Sequence, residues 1–148
     1  MPSIISKYWS VEKVTEGEAM DADPHKKIDS LENEVFALKS VINNLPGSIY
    51  WKNKDGVYLG RNYYSSKKMV EDGFEQEINQ DDVIGKTDYD VFDKETADRY
   101  RETDVECMLA CKEIQVEEPV HLPNGETLIQ LSTKRPMLNQ DNEVIGLI

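Results

Sequence analysis

The chain has 148 residues, enough for one core of ordinary size with an appendage and too few for two full domains. Hydrophobic residues make up 39% and charged residues 31%, and no apolar run approaches the roughly 20 residues of a membrane span, so membrane contact by this segment is excluded. Lys and Arg number 17 against 29 Asp and Glu, a formal charge of −12, and that field repels nucleic-acid phosphates and anionic lipid.

Met1 to Lys7 lack the basic start and apolar stretch of a secretory signal, and a cytoplasmic location is expected. Cys107 and Cys111 stand four apart on an expected helix, where side chains share a face but lie too far apart for an unstrained disulfide. Two thiols in a reducing compartment follow. Neither a Cys-x-x-Cys pair nor a cysteine and histidine set with zinc-site spacing occurs, and no metal is expected.

Residues 1–27 show little periodicity and read as a largely flexible arm, although the apolar group Ile4, Ile5, Tyr8, Trp9 and Val11 can form a short docking helix. From Ile28 the pattern tightens. Ile28, Leu31, Val35, Leu38, Ile42 and Leu45 recur at spacings of three and four, predicting an amphipathic helix over 28–45 that ends at Pro46-Gly47, with Asp29 or Ser30 as its cap. Such a seam either packs on its own domain or is shared between two chains as a dimer interface of Ile28, Leu31, Val35, Leu38 and Ile42.

The segment 46–148 then changes to short strands. Ser48–Lys52 and Val57–Arg61 flank Asp55-Gly56, a hairpin signal. Asn62 is a plausible cap for a short helix through Val70. Residues 71–82 carry six acids and no base and read as a solvated loop without the ligand spacing of a calcium loop. Thr87 with Asp90 predicts a one-turn helix, and Asp93 caps a longer helix placing Ala97, Tyr100, Asp104, Cys107, Met108 and Cys111 on one face. Three strands complete the order: Ile114 to Val120, Thr127 to Met137, and Glu143 to Ile148. Two strands, a helical run and three strands predict an α+β fold, a five-stranded antiparallel sheet with helices on one face.

Within that order, Val41-Ile42-Asn43-Asn44-Leu45-Pro46-Gly47, Tyr50-Trp51-Lys52-Asn53-Lys54-Asp55-Gly56-Val57-Tyr58, Ile84-Gly85-Lys86-Thr87-Asp88-Tyr89-Asp90-Val91-Phe92, and Lys134-Arg135-Pro136-Met137 with Val144-Ile145-Gly146 resemble the PAS sensory domain of bacterial sensor histidine kinases. The resemblance covers residues 41–148. It implies a pocket for a small ligand between sheet and helices, a flanking helix that often mediates homodimerisation, and output through the last strand to a C-terminal effector in the same polypeptide. The chain is accordingly expected to be a sensor fragment ending just before that output.

The family's flavin-binding branch needs a cysteine on the short helices, and its haem-binding branch a histidine on the long one. Here the cysteines lie on the long helix, and His25 and His121 lie elsewhere, so neither cofactor is expected, while an unidentified small ligand stays open. Tyr100, Asp104 and Cys107 are the pocket candidates. Asp104 on an inward face needs a partner, read either as a structural pair with Lys134 or Arg135 or as a ligand anchor, and Asp88 reads first as a capping residue. No phosphate-cradling loop or nucleophile with a base is present, so a non-enzymatic sensor module is expected. The alternatives are the PAS module of a transcription regulator or cyclic-dinucleotide enzyme, or a thiol redox switch at Cys107 and Cys111.

Overall fold

The computed structural model describes residues 23–148. The chain divides into two compact units, one ending at Leu38 and the other running from Lys39 to Ile148. The apolar group around Trp9 lies outside the described residues.

Helix α1 spans Pro24–Asn44 and begins four residues before the expected Ile28. The reason is local: the Asp23 carboxylate accepts the His25 amide at 3.0 Å, and Pro24 occupies the first helical position, where its missing N–H costs nothing. Asp29 and Ser30 therefore lie inside the helix rather than at its cap. The helix ends before Pro46 and Gly47, the latter at φ +94°.

Strands β1 (Tyr50–Asn53) and β2 (Tyr58–Arg61) form an antiparallel hairpin. Its turn is held by the Asn53 side chain, which accepts the amides of Asp55 and Val57 at 3.0 Å each, and by Gly56 at φ +83°, a conformation glycine adopts without penalty. Asn62 caps α2 (Tyr63–Glu71) by accepting the Ser65 amide at 2.9 Å. The same carboxamide accepts the Ile49 amide at 3.0 Å and donates to the Gly47 carbonyl at 2.9 Å, so one buried side chain ties the start of α2 to the loop before β1.

The acidic run is not wholly solvated. Arg61 grips Glu75 with two bonds of 2.6 Å, and Gln80–Val83 form a short 3-10 helix that buries Val83. In α3 (Asp88–Val91) the Asp90 carboxylate accepts both the amide and the hydroxyl of Thr87 at 2.7 Å. Asp93 caps α4 (Lys94–Ala110), and its hydrogen bonds from Thr96 hold its carboxyl below the ordinary Asp value. Cys111 terminates α4 in the left-handed region at φ 48°.

Strands β3 (Ile114–His121) and β4 (Thr127–Lys134) pair along their whole length. The expected single strand Thr127–Met137 is split, with β5 (Pro136–Leu138) following at once and pairing with β6 (Val144–Leu147). Pro136 has no N–H to give the ladder, although Arg135 and Ile148 still exchange two bonds of 2.8 Å across the join. The five-stranded sheet thus becomes four strands ordered β2-β1-β6-β5 and a two-stranded β3-β4 ribbon, all antiparallel. An open groove lined by Ile49, Tyr50, Leu131, Thr133 and Ile148 separates the start of β1 from β4. Among the described residues no helix is long and apolar enough to cross a membrane.

Among the described residues seven apolar side chains are buried, Tyr58, Val83, Ala97, Tyr100, Cys107, Val120 and Leu147, against eleven polar or charged ones. This interior depends on close backbone approach. A Cβ on Gly146 would stand 2.1 Å from the Lys52 carbonyl oxygen, so Gly146→Ala must push β6 off β1. Overpacking of this kind costs about 1–3 kcal/mol, and urea unfolding of Gly146→Ala is expected to read a loss in that range.

Candidate functional site

The site is built on a buried cluster of charge. Alternation along β1 turns Tyr50 and Lys52 to one face, and Lys52 is fully buried. Its ammonium donates to Asp88 on α3 at 2.5 Å and to Asp104 on α4 at 2.9 Å. The other oxygen of Asp104 accepts from Lys134 on β4 at 2.7 Å. Lys134 also donates to Glu118 on β3 at 2.9 Å and to the Thr103 hydroxyl at 2.6 Å. One contiguous network therefore joins β1, α3, α4, β3 and β4. Two ammonium groups face three carboxylates, one negative charge in excess when all are ionised, and Glu118 Oε2 has no partner.

A small cavity of about 50 Å³ adjoins this cluster. Three of its lining residues belong to both. Tyr58 lines the cavity and donates its hydroxyl to Asp88 at 2.7 Å. Tyr50 and Tyr100 line it with rings whose centroids lie 5.3 Å from the Lys52 and Lys134 ammonium groups respectively. Phe74 and Phe92 complete an aromatic wall, stacked edge to face at 5.0 Å, with Phe92 meeting Tyr100 at 5.3 Å. Polar groups come from Ser48, Arg61, Ser65, Lys68, Asp72 and Gln130.

Burial holds the Tyr50 and Tyr58 hydroxyls well above the ordinary phenol range, with Asp104 the next cause for Tyr50 and Asp88 for Tyr58. Tyr100 is raised by burial and then by Glu118. All three phenols stay protonated at neutral pH and keep a proton to donate.

Of the expected pocket residues, Tyr100 lines the cavity, whereas Asp104 and Cys107 do not. Asp104 lies in the cluster with Lys134. Arg135, the other partner considered, is exposed and pairs with Glu113 at 2.5 Å. Cys107 is buried, its thiol 3.4 Å from the Lys112 carbonyl, and burial followed by Asp104 pushes that thiol up. Asp88 is buried as the partner of Lys52 and Tyr58, so its place at the start of α3 is not its main work. His121 is exposed, 3.1 Å from the Thr127 hydroxyl. Lys52, Glu118, Tyr50, Tyr58, Arg61 and Ser65 went unnoticed in the sequence. The period-2 alternation that sets Lys52 beside Tyr50, and Glu118 between Val116 and Val120, is the signal that finds two of them.

The excess negative charge gives the cluster a direction. Removing a cation, as in Lys134→Met, leaves three carboxylates on one ammonium and is expected to cost about 3–5 kcal/mol. Asp104→Asn keeps the shape and balances two cations against two anions, for a smaller loss of about 1–3 kcal/mol. Urea unfolding of the two variants checks this, and the reverse order rules out the charge assignment.

Residues 42–148 match the family model of the PAS fold. A curated relative, the uncharacterized protein y4lL of Sinorhizobium fredii, is 47% identical over 45 residues, which are 30% of this chain and 5% of that protein. Among solved structures, the VqmA dimer of Vibrio cholerae aligns with a TM-score of 0.60 at 20% identity, over 75% of this chain and 48% of that one. The PAS domain of Bordetella pertussis BvgS gives 0.59 at 21%, over 78% and 82%, and that of an HTR-like protein from Haloarcula marismortui 0.58 at 17%, over 83% and 94%. The chain thus spans about half of the VqmA chain and a small fraction of y4lL, and at these identities the structures speak for the fold alone. With the family model accounting for everything from the end of α1 to the last strand, the chain belongs to the PAS family of sensory domains.

Proposed function

We propose that this PAS domain senses a small molecule in the cavity beside the charge cluster and regulates an effector in the same polypeptide, a histidine kinase in the first instance. The observation that carries the reading is that Tyr50, Tyr58 and Tyr100 line the cavity and also touch the buried charges that join five elements. A domain of a sensor histidine kinase/response regulator from Geobacter sulfurreducens, similar in fold with a TM-score of 0.52 at 14% identity, supports an effector of the kinase class. VqmA, solved in complex with a ligand and DNA, supports a transcription regulator as the second reading. In either case the effector, not this acidic segment, would carry catalysis or meet nucleic acid. The free thiols Cys107 and Cys111 suit a reducing, cytoplasmic setting. A thiol switch draws no support from a buried Cys107 whose thiolate is disfavoured.

The reading includes a homodimer. Ile28, Leu31 and Val35 are each 51% exposed and Leu38 57%, an apolar seam with i, i+3, i+4 spacing that a second copy would cover.

Fragment binding tests the sensing site. Ligand-observed NMR should find small aromatic fragments that bind the chain and are lost in Ser65→Phe, which fills the cavity, and in Gln130→Trp, which blocks its rim. A screen in which no fragment tells the native chain from both variants overturns the sensing reading. The dimer is tested separately by sedimentation, where Leu38→Asp should be monomeric and the native chain dimeric at high micromolar concentration. A monomeric native chain removes the dimer.

A further inference from the structure

We infer that the outward side of α4 is a docking groove for a protein partner, and that the docking segment is an amphipathic helix whose apolar stripe is flanked by carboxylates. The groove shares no lining residue with the cavity beside the charge cluster, so the inference goes beyond the sensing reading and stands apart from it.

A macromolecular partner follows from the shape. The groove offers about 520 Å³ between α4, the β1–β2 turn and the start of β6. Arg101, Val105, Met108 and Leu109 stand at i, i+4, i+7 and i+8 and share one side of α4, while Tyr100, Asp104 and Cys107 are buried on the other. Val144 of β6 completes an apolar floor. Leu109 is 83% exposed, the most open of the large apolar side chains among the described residues. A site with such a wall does not bury most of a small molecule, and an apolar row left open beside charge marks a protein interface.

The partner's charge follows from which cations are spoken for. Acids outnumber bases by 29 to 17 in this chain, yet Lys54 and Arg101, both lining the groove, enter none of the ion pairs among the described residues. Arg101 is fixed in place. Its Nη2 donates to the Lys54 carbonyl at 2.8 Å, and the guanidinium lies so close to the turn that a Cβ on Gly56 would stand 3.1 Å from Nη1. Nη1 itself is buried with no hydrogen-bond partner. The one carboxylate lining the groove, Glu143, is engaged by the Asn139 side-chain amide at 2.9 Å. Two cations without a carboxylate therefore border an apolar floor on an otherwise acidic molecule, and a partner with carboxylates beside its apolar side chains complements both.

The partner's form follows from what the groove presents. Strand β6 is paired with β5 on one side and β1 on the other, so no strand edge is offered to an extended segment. Side chains alone are offered. From Arg101 to Leu109 they run roughly 12 Å at the helical rise of 1.5 Å per residue, a little over two turns. A helix laid along α4 packs its ridges into that row. Its apolar side chains at i, i+3 and i+4 meet Val105, Met108, Leu109 and Val144, and its carboxylates meet Lys54 and Arg101.

The probe is an acetylated and amidated helical peptide of leucine, alanine and glutamate, its leucines on one side and flanked by glutamates, and the control is a twin with lysine at every glutamate. The charge of −12 on the whole chain favours the lysine twin at long range, whereas the groove favours the glutamate peptide. Heteronuclear NMR of the full chain with the glutamate peptide should shift the amides of Arg101 to Leu109 and of Val144, and fluorescence anisotropy should find that peptide at least about tenfold tighter than its twin. Lys54→Glu and Leu109→Glu change exposed side chains, so circular dichroism stays unchanged, and each should weaken the glutamate peptide by about tenfold or more. The lysine twin binding as tightly overturns the inference, as do shifts confined to the seam on α1, an affinity that either variant leaves unchanged, or no binding of the glutamate peptide up to about 1 mM.

Discussion

Asp104 holds the interior together, because its two carboxylate oxygens go to two different lysines on two different strands. Lys52 comes from β1 in the four-stranded sheet and Lys134 from β4 in the ribbon, at 2.9 and 2.7 Å. The carboxylate sits on α4, the helix that covers both. Where Pro136 interrupts the ladder between β4 and β5, this ionic bridge runs alongside the join and ties the sheets through the helix. Taking such charges out of water costs several kcal/mol per ion, and a cluster of this size survives only because nearly every lone pair and proton in it has a partner. Among the carboxylate oxygens of the cluster, Glu118 Oε2 is left buried without a partner.

The cluster also dictates what the cavity can be. Tyrosine at 50, 58 and 100 puts an aromatic face against an ammonium group and a hydroxyl at the far end of the ring. The face compensates the buried cation, and the Tyr58 hydroxyl adds a hydrogen bond to Asp88. Phenylalanine would serve the first purpose and not the second. The polarity of the cavity thus follows from how the cations beneath it are accommodated, and the high pKa of each phenol follows from the same burial and the same carboxylates.

The order of elements was readable because it is written in local signals. Asn53 with Gly56 makes the hairpin, Asn62 and Asp93 cap their helices, and Pro46-Gly47 ends α1. Each acts within a few residues of itself. Asp104 was also readable as an inward carboxylate in need of a base on the Thr127–Met137 segment, since helical periodicity fixes its face. Lys52 and Glu118 were not, because a lysine or glutamate on a short strand reads as solvent-facing unless the register across the sheet is known, and their partners lie 36 residues away for Lys52 with Asp88. The start of α1 was misplaced because hydrophobic periodicity sets in at Ile28, whereas the helix is nucleated by Asp23 and Pro24, which carry no apolar signal. The break at Pro136 was legible in principle and was overlooked beside the strong β-propensity of its neighbours.

An interior this polar changes where apolar burial must come from. Only seven apolar side chains are buried among the described residues, while Ile28, Leu31, Val35, Leu38 and Val41 on α1 are each half exposed or more and Ile129 and Leu131 on β4 are 66% exposed. On β4 the pattern is inverted relative to an ordinary sheet, with Ser132 and Lys134 turned inward and Ile129 and Leu131 outward. Area removed from water is worth roughly 25 cal/mol per Å², so a chain that spends its inner face on charge keeps much of its hydrophobic driving force on its surface. Association is the process that can release it, and the homodimer proposed above would do so at the seam on α1, with its regular three-and-four spacing. The polar core and the proposed pairing are in this sense one arrangement: the ionic bridge fixes geometry inside, and the apolar stripe is left free to act between chains.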